Sequence, residues 1–290
     1  MAIEKLHTEA FLQLSSAYPV LDVRSPSEYR HAHIPGAYNL PLFSDEERKV
    51  VGTTYKQNSR EAAIKIGLDY FGPKMRSVVE EVESLVHASP ANRDKDPAAK
   101  KIVLVHCWRG GMRSAAIAWL LDLYGFKVYT LVGGYKKFRQ YVLERFSLAY
   151  RFSIIGGFTG SGKTEILNVL AKQHPAIDLE HLAGHKGSAF GNIGLPPQPT
   201  QEMFENKLAL ELRKYENVTE TIWLEDESQR IGTVNIPQPL WLQMRQSRVY
   251  FLDIPFEERL LHIIKWYGKQ DKEKMIGAII RIKKRLGGLE

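Results

Sequence analysis

The chain has 290 residues, 44% of them apolar and 25% charged, enough for two globular domains with separate cores. No apolar run approaches the length of a membrane-spanning helix, and the opening MAIEKLHTEAFLQL has neither the apolar segment nor the cleavage site of a secretory leader. The net charge of +7 favours a polyanionic partner, and a single cysteine, Cys107, excludes an internal disulfide, fits a reducing cytoplasm and leaves a free thiol to explain.

In chain order, short β-type runs fall at YPVLDV (18–23), KIVLVHC (101–107), FKVYTLVG (126–133), RFSIIGG (151–157), ETIWLED (220–226) and RVYFLDI (248–254). Residues 43–80 read as a helical insertion between the first two runs. The runs ending at 107 and 157 each lead into a glycine-rich turn and then a helix, AAIAWLLDLYG closing at Gly125 and EILNVLAKQ. Strand, loop and helix in that order is the α/β unit, and in open parallel sheets ligands sit at the carboxyl ends of such strands. Gly133-Gly134 turns the chain into a helix that reaches about Phe146, which puts a domain boundary near residue 147. Two α/β domains follow, 1–146 and 147–290, with GLPPQPTQ (194–201) a rigid loop inside the second.

The turn after the 101–107 run is Cys107-Trp108-Arg109-Gly110-Gly111-Met112-Arg113, with Ser114 next. A cysteine between a strand end and a helix start faces a ring of backbone N–H groups and the positive end of the helix dipole. Arg109 and Arg113 add full charges, so the surroundings lower the thiol's pKa and form a cradle for a tetrahedral oxyanion. The alternative is a structural cysteine at a strand end, but two glycines and two arginines within six residues have no use there.

Gly157-Phe158-Thr159-Gly160-Ser161-Gly162-Lys163-Thr164 is a complete G-x-x-x-x-G-K-T phosphate-binding loop (P-loop) between strand and helix. Its backbone wraps phosphates, Lys163 sets a point charge on the terminal phosphate, and the Thr164 hydroxyl can ligate Mg²⁺. Glu225-Asp226, at the end of the ETIWLED run, are the first choice for an acidic partner, and Asp253 is the second. The motif leaves open a nucleotide or another diphosphate as ligand. His31, His33 and His106 read as structural, and no other set of residues has the spacing of metal ligands.

The first loop resembles that of rhodanese domains, as does the upstream run Asp22-Val23-Arg24, Glu28-Tyr29, His33-Ile34-Pro35-Gly36-Ala37 and Asn39, with Leu131-Val132-Gly133-Gly134 at the domain's end. One departure matters: five residues separate Cys107 from Arg113, where sulfur-transferring rhodaneses use four. C-x5-R is also the spacing of related phosphatases, so spacing alone leaves chalcogen transfer from a phosphorylated donor and phosphate-ester hydrolysis both open.

A rhodanese-like domain followed by a P-loop domain is similar to the tRNA 2-selenouridine synthase family. The segments His185–Gly191, Gln198–Gln201, Phe204-Glu205, Glu225–Ser228, Ile231-Gly232 and Val51–Lys56 carry the likeness further, although Lys186 stands where the family has arginine. The resemblance implies a cytoplasmic transferase acting on the wobble 2-thiouridine of tRNA. Its sulfur is geranylated from geranyl diphosphate and then displaced by selenium from selenophosphate, with no tightly bound cofactor. It further implies that Gly157, Gly160, Ser161, Gly162, Lys163 and Thr164 hold the diphosphate. Cys107 and the loop Trp108, Arg109, Gly110, Gly111, Met112 and Arg113 handle selenophosphate. Nine basic residues between Arg259 and Arg285 are expected to contact tRNA phosphates, and family members run longer, so this chain is expected to be a truncated form. A C-x5-R phosphatase with a regulatory nucleotide-binding domain and a non-catalytic phosphate sensor are the competing readings.

Overall fold

The computed structural model describes residues 3–88, 101–188, 190–267 and 272–282. The chain divides into two compact units, Met1–Tyr141 and Val142–Glu290, the division falling within the helix Gly134–Arg145 that ends the first.

The first unit runs β1 (Glu4–Leu6), α1 (Thr8–Ser15), β2 (Val20–Asp22), α2 (Pro26–His31), β3 (Tyr38–Asn39), α3 (Asp45–Gln57), α4 (Arg60–Phe71), α5 (Met75–Ala88), β4 (Ile102–His106), α6 (Met112–Leu123), β5 (Lys127–Leu131) and α7 (Gly134–Arg145). Its five strands lie in the order β1-β5-β4-β2-β3, all parallel. β4 occupies the centre, and Val103, Leu104 and Val105 are fully buried, which is why this strand reads as a continuous apolar run rather than an alternating one. The helical segment extends past residue 80 to Ala88. Val78, Val79, Val82 and Val86 of α5 pack on the sheet core with Leu21, Val105 and Ile117, so α5 is a core helix of the domain.

The second unit runs β6 (Phe152–Gly157), α8 (Lys163–Leu170), β7 (Ala176–Ile177), α9 (Leu179–Ala183), α10 (Gln201–Arg213), β8 (Ile222–Glu225), β9 (Arg230–Ile231), β10 (Val234–Asn235), α11 (Gln238–Gln246), β11 (Arg248–Leu252), α12 (Phe256–Tyr267) and α13 (Lys272–Ile282). The sheet order is β11-β6-β8-β7, again all parallel, with β9 and β10 as a separate antiparallel pair. The Pro-rich loop between Gly194 and Gln201 is pinned by Gln198. Its Nε2 donates to the Ala183 and Ile231 carbonyls at 2.9 and 3.1 Å, and its Oε1 accepts from the Thr233 N–H at 2.9 Å. Both domains are therefore parallel α/β sheets, with the two glycine loops at the carboxyl ends of the interior strands β4 and β6.

Candidate functional site

Cys107 follows β4 directly and is 3% exposed, whereas Trp108 through Met112 reach solvent. Beneath the loop lies a buried polar frame. Arg24 donates to both Asp22 oxygens, with Nη2 at 2.6 Å from Oδ2 and 2.7 Å from the Ala32 carbonyl, and its guanidinium lies 3.8 Å over the Tyr135 ring. Asn39 donates to the Asp22 and Arg24 carbonyls at 3.0 Å. His106 is fully buried 3.7 Å from Asp22, and His33 stacks on Tyr29, so neither histidine faces the loop as a ligand. The turn before α7 closes the frame from the other side: the Tyr135 N–H donates to the Cys107 carbonyl at 2.8 Å and the Lys136 N–H to the Trp108 carbonyl at 2.9 Å. This approach requires glycine at 134, because a Cβ there would lie 2.5 Å from the Gly110 nitrogen and closer still to the Cys107 carbonyl.

The thiol itself is set for ionisation. Burial opposes its charge. Hydrogen bonds from Ser114, through its hydroxyl and its backbone N–H, and from the Arg109 N–H, with the charge of Arg113, outweigh that and hold the thiol below its ordinary value. Ser114 Oγ lies 3.3 Å from Cys107 Sγ and also donates to the Gly111 carbonyl at 3.0 Å. Arg113 is gripped by Glu28, Nη1 to Oε2 at 2.6 Å and Nη2 to Oε1 at 3.3 Å, which fixes its guanidinium at the mouth of the loop.

In the second unit β6 delivers the P-loop and Gly162, left-handed at φ 80°, opens α8. Lys163 Nζ bends back to the Gly157 carbonyl at 3.1 Å, and Thr164 Oγ1 donates to Glu225 Oε2 at 3.2 Å. Glu225 is thus the acid the fold sets against the loop, while Asp226 turns aside into an ion pair with Arg245. Two further carboxylates, from Glu180 on α9 and Glu227 beyond β8, meet Glu225 with ligand atoms within 4.8 Å of one another. No local spacing announces this cluster, because the sheet order brings α9 and the end of β8 together. Burial first, then mutual repulsion, pushes Glu180 and Glu225 up to about 8 and Glu227 to about 7, with Lys163 pulling the other way. Gly187 passes close over them, since a Cβ there would lie 2.7 Å from both Glu180 Oε1 and Glu227 Oε2. The donors are all oxygen, and Glu225 Oε1 is buried without a partner, so the set fits a hard divalent cation held by Thr164 and these acids.

Arg259, which the sequence groups with the basic C-terminal stretch, is held at the P-loop. It donates from Nη1 to the Thr159 carbonyl at 3.3 Å and lies 4.9 Å over the Phe158 ring. Of the same stretch, Lys269, Lys283, Lys284 and Arg285 lie outside the described residues. Phe158 is 56% exposed and meets Phe251 edge-on at 5.3 Å, with Phe256 also exposed beside Arg259. Apolar surface therefore adjoins the phosphate loop, a feature the motif itself does not predict.

A rhodanese-type thiol loop and a P-loop, each on its own parallel sheet, define a two-domain α/β protein. Residues 7–141 match the rhodanese-like domain family and residues 150–290 the AAA domain of tRNA 2-selenouridine synthase. The tRNA 2-selenouridine synthase of Hydrogenovibrio crunogenus is 39% identical over 290 residues, covering 93% of this chain and 76% of that protein. Those of Nitrosomonas europaea and Nitrosomonas eutropha are 39% and 36% identical over 86% and 84% of this chain. The chain belongs to the tRNA 2-selenouridine synthase family, and it spans 63% and 62% of the length of the two Nitrosomonas proteins.

Proposed function

We propose that the protein is a transferase converting the wobble 2-thiouridine of tRNA to 2-selenouridine through an S-geranyl intermediate. One observation carries this reading: two glycine-rich loops each follow an interior parallel strand, and only the first carries a thiol, Cys107. In the second, Lys163 and the α8 N-terminus would hold a diphosphate, and the exposed Phe158, Phe251 and Phe256 would offer apolar surface to a prenyl chain, a reading their exposure beside the loop supports. The thiocarbonyl sulfur attacks the first carbon of the geranyl group, the carbon–oxygen bond breaks, and diphosphate leaves. A divalent cation, when bound at Thr164 and Glu225, would neutralise charge on that leaving group.

Alkylation turns a poor leaving group into a good one. The selenium of selenophosphate, held at the Cys107 loop, then attacks C2 of the uracil, the C2–sulfur bond breaks and geranylthiolate departs, and water cleaves the selenium–phosphorus bond to leave 2-selenouridine and inorganic phosphate. Arg109 and Arg113 with the loop amides bind the donor's oxyanion, and Lys and Arg elsewhere on the surface contact tRNA phosphates.

The test is incubation with 2-thiouridine tRNA, geranyl diphosphate and selenophosphate, followed by nucleoside mass analysis. S-geranyl-2-thiouridine with the first donor alone and 2-selenouridine with both are expected. Unmodified 2-thiouridine in every combination would reject the reading. Turnover of an aryl phosphate without selenium transfer would instead favour the phosphatase that C-x5-R spacing also allows.

A further inference from the structure

Helix α3 brings a second arginine to Glu28, the carboxylate that grips Arg113. Its first turn is fastened to α2: Asp45 accepts from the Ser27 N–H at 2.9 Å and the Ser27 hydroxyl at 2.6 Å, and pairs with Arg30 at 3.4 Å. Ser44 and Glu47 close a capping box that fixes where the helix begins. One residue past that box, Arg48 projects to Glu28, its Nε 3.9 Å from Oε2. That oxygen already accepts from Arg113 at 2.6 Å and from the Ser25 N–H at 3.0 Å, and Arg48 lies beyond hydrogen-bond reach of it. The Arg48 Nε is buried and has no hydrogen-bond partner. Two guanidinium groups, those of Arg48 and Arg113, thus share the single carboxylate of Glu28.

Gly52, one turn further along α3, explains how the guanidinium fits. A Cβ there would overlap Arg48 Nη1, so the arginine lies across the glycine. A glycine inside a helix costs about 1 kcal/mol relative to alanine. That cost is offset by the room it leaves for a charged group.

We propose that Arg48 is an anion-binding, specificity-determining residue of the Cys107 loop, contacting the phosphoryl oxygens of the selenium donor together with Arg113. A donor oxygen supplies the acceptor that Arg48 Nε lacks and the negative charge that Glu28 alone does not provide for two arginines. The C-x5-R loop is one residue longer than a sulfur-transfer loop, and a longer loop can hold a larger anion. This inference rests on the reading that a phosphorylated donor enters the cysteine loop.

Two variants and two readouts test it. With S-geranylated tRNA and varied selenophosphate, Arg48→Ala should raise KM by about tenfold or more with kcat changed less than about twofold, the pattern of lost ground-state binding. Gly52→Ala improves helix propensity while displacing the guanidinium, so it should shift KM the same way even if Arg48→Ala folds poorly. Independently, inorganic phosphate should protect Cys107 from iodoacetamide, and both variants should need about tenfold more phosphate for the same protection. Unchanged KM and unchanged protection in both variants would overturn the proposal. A wild-type protein that forms no 2-selenouridine would defeat the proposed function, while the protection measurement would still decide whether Arg48 binds the anion.

Discussion

Burying a thiol at the end of a β-strand ordinarily makes it inert, because desolvation penalises the thiolate. Cys107 escapes that outcome through three local donors and one remote charge, and Ser114 contributes most among the groups that lower its pKa. The hydroxyl has two uses: it donates to the Gly111 carbonyl when the thiol is neutral, and it can rotate to donate to a thiolate 3.3 Å away. Ser114→Ala removes that donor without altering the backbone N–H groups. The expected result is an upward shift of the thiol's pKa, read as displacement of the pH profile for iodoacetamide alkylation to higher pH, with selenium transfer slowed at neutral pH. An unmoved profile would mean that backbone amides and Arg113 suffice. Arg113→Lys should act differently, since lysine keeps the charge but loses the two-pronged grip of Glu28.

At the level of elements, the carboxylates gathered by α9 and β8 link the second unit's stability to pH. Their proton affinities in the fold lie above the ordinary carboxyl value of 4.5, at about 7 to 8. A group whose folded-state pKa is raised stabilises the fold fully below its unfolded pKa and loses that contribution as pH climbs through the folded one. The thermal midpoint measured in EDTA is therefore expected to fall between about pH 5 and pH 8.5, since each unit by which a carboxyl pKa is raised costs about 1.4 kcal/mol once the group ionises and the three groups titrate together. Glu180→Gln should flatten this slope, and added Mg²⁺ should restore stability at the high-pH end; a flat profile in EDTA would contradict it. Nothing in the sequence announces this cluster, whereas Cys107, Lys163 and Thr164 stand in contiguous motifs whose chemistry is local. Glu225 is intermediate: a strand end after an apolar run marks it, but only the β6–β8 pairing sets it against Thr164. Arg48 is the opposite extreme, one basic residue in a polar helix, given meaning only by the staple between α2 and α3. The parallel sheets are readable because their central strands are uninterrupted apolar runs. β1, β3 and β7 are not, since two- and three-residue strands carry no period of their own.

At the scale of the whole molecule, the thiol and the P-loop lysine belong to separate units, each with its own parallel sheet and its own anion cradle. On the proposed reading each half-reaction uses one of the two loops. Cys107→Ala is therefore expected to accumulate S-geranyl-2-thiouridine and stop, and Lys163→Ala to leave 2-thiouridine largely unmodified while still converting S-geranylated tRNA supplied to it. Loss of the same step in both variants would refute this division of labour. A mixture of the two proteins asks the further question of whether the intermediate leaves the enzyme. On the proposed reading tRNA is held largely through phosphate contacts, which weaken steeply with salt, and exchange between molecules is then expected at moderate ionic strength. Mixing should then restore 2-selenouridine formation, and raising the salt concentration within the range that still permits binding should speed the exchange relative to the wild-type rate. If the mixture stays at the level of the separate variants while each retains its own half-reaction, the S-geranyl tRNA is passed between cradles without release, and the two units act on one bound tRNA in a single encounter.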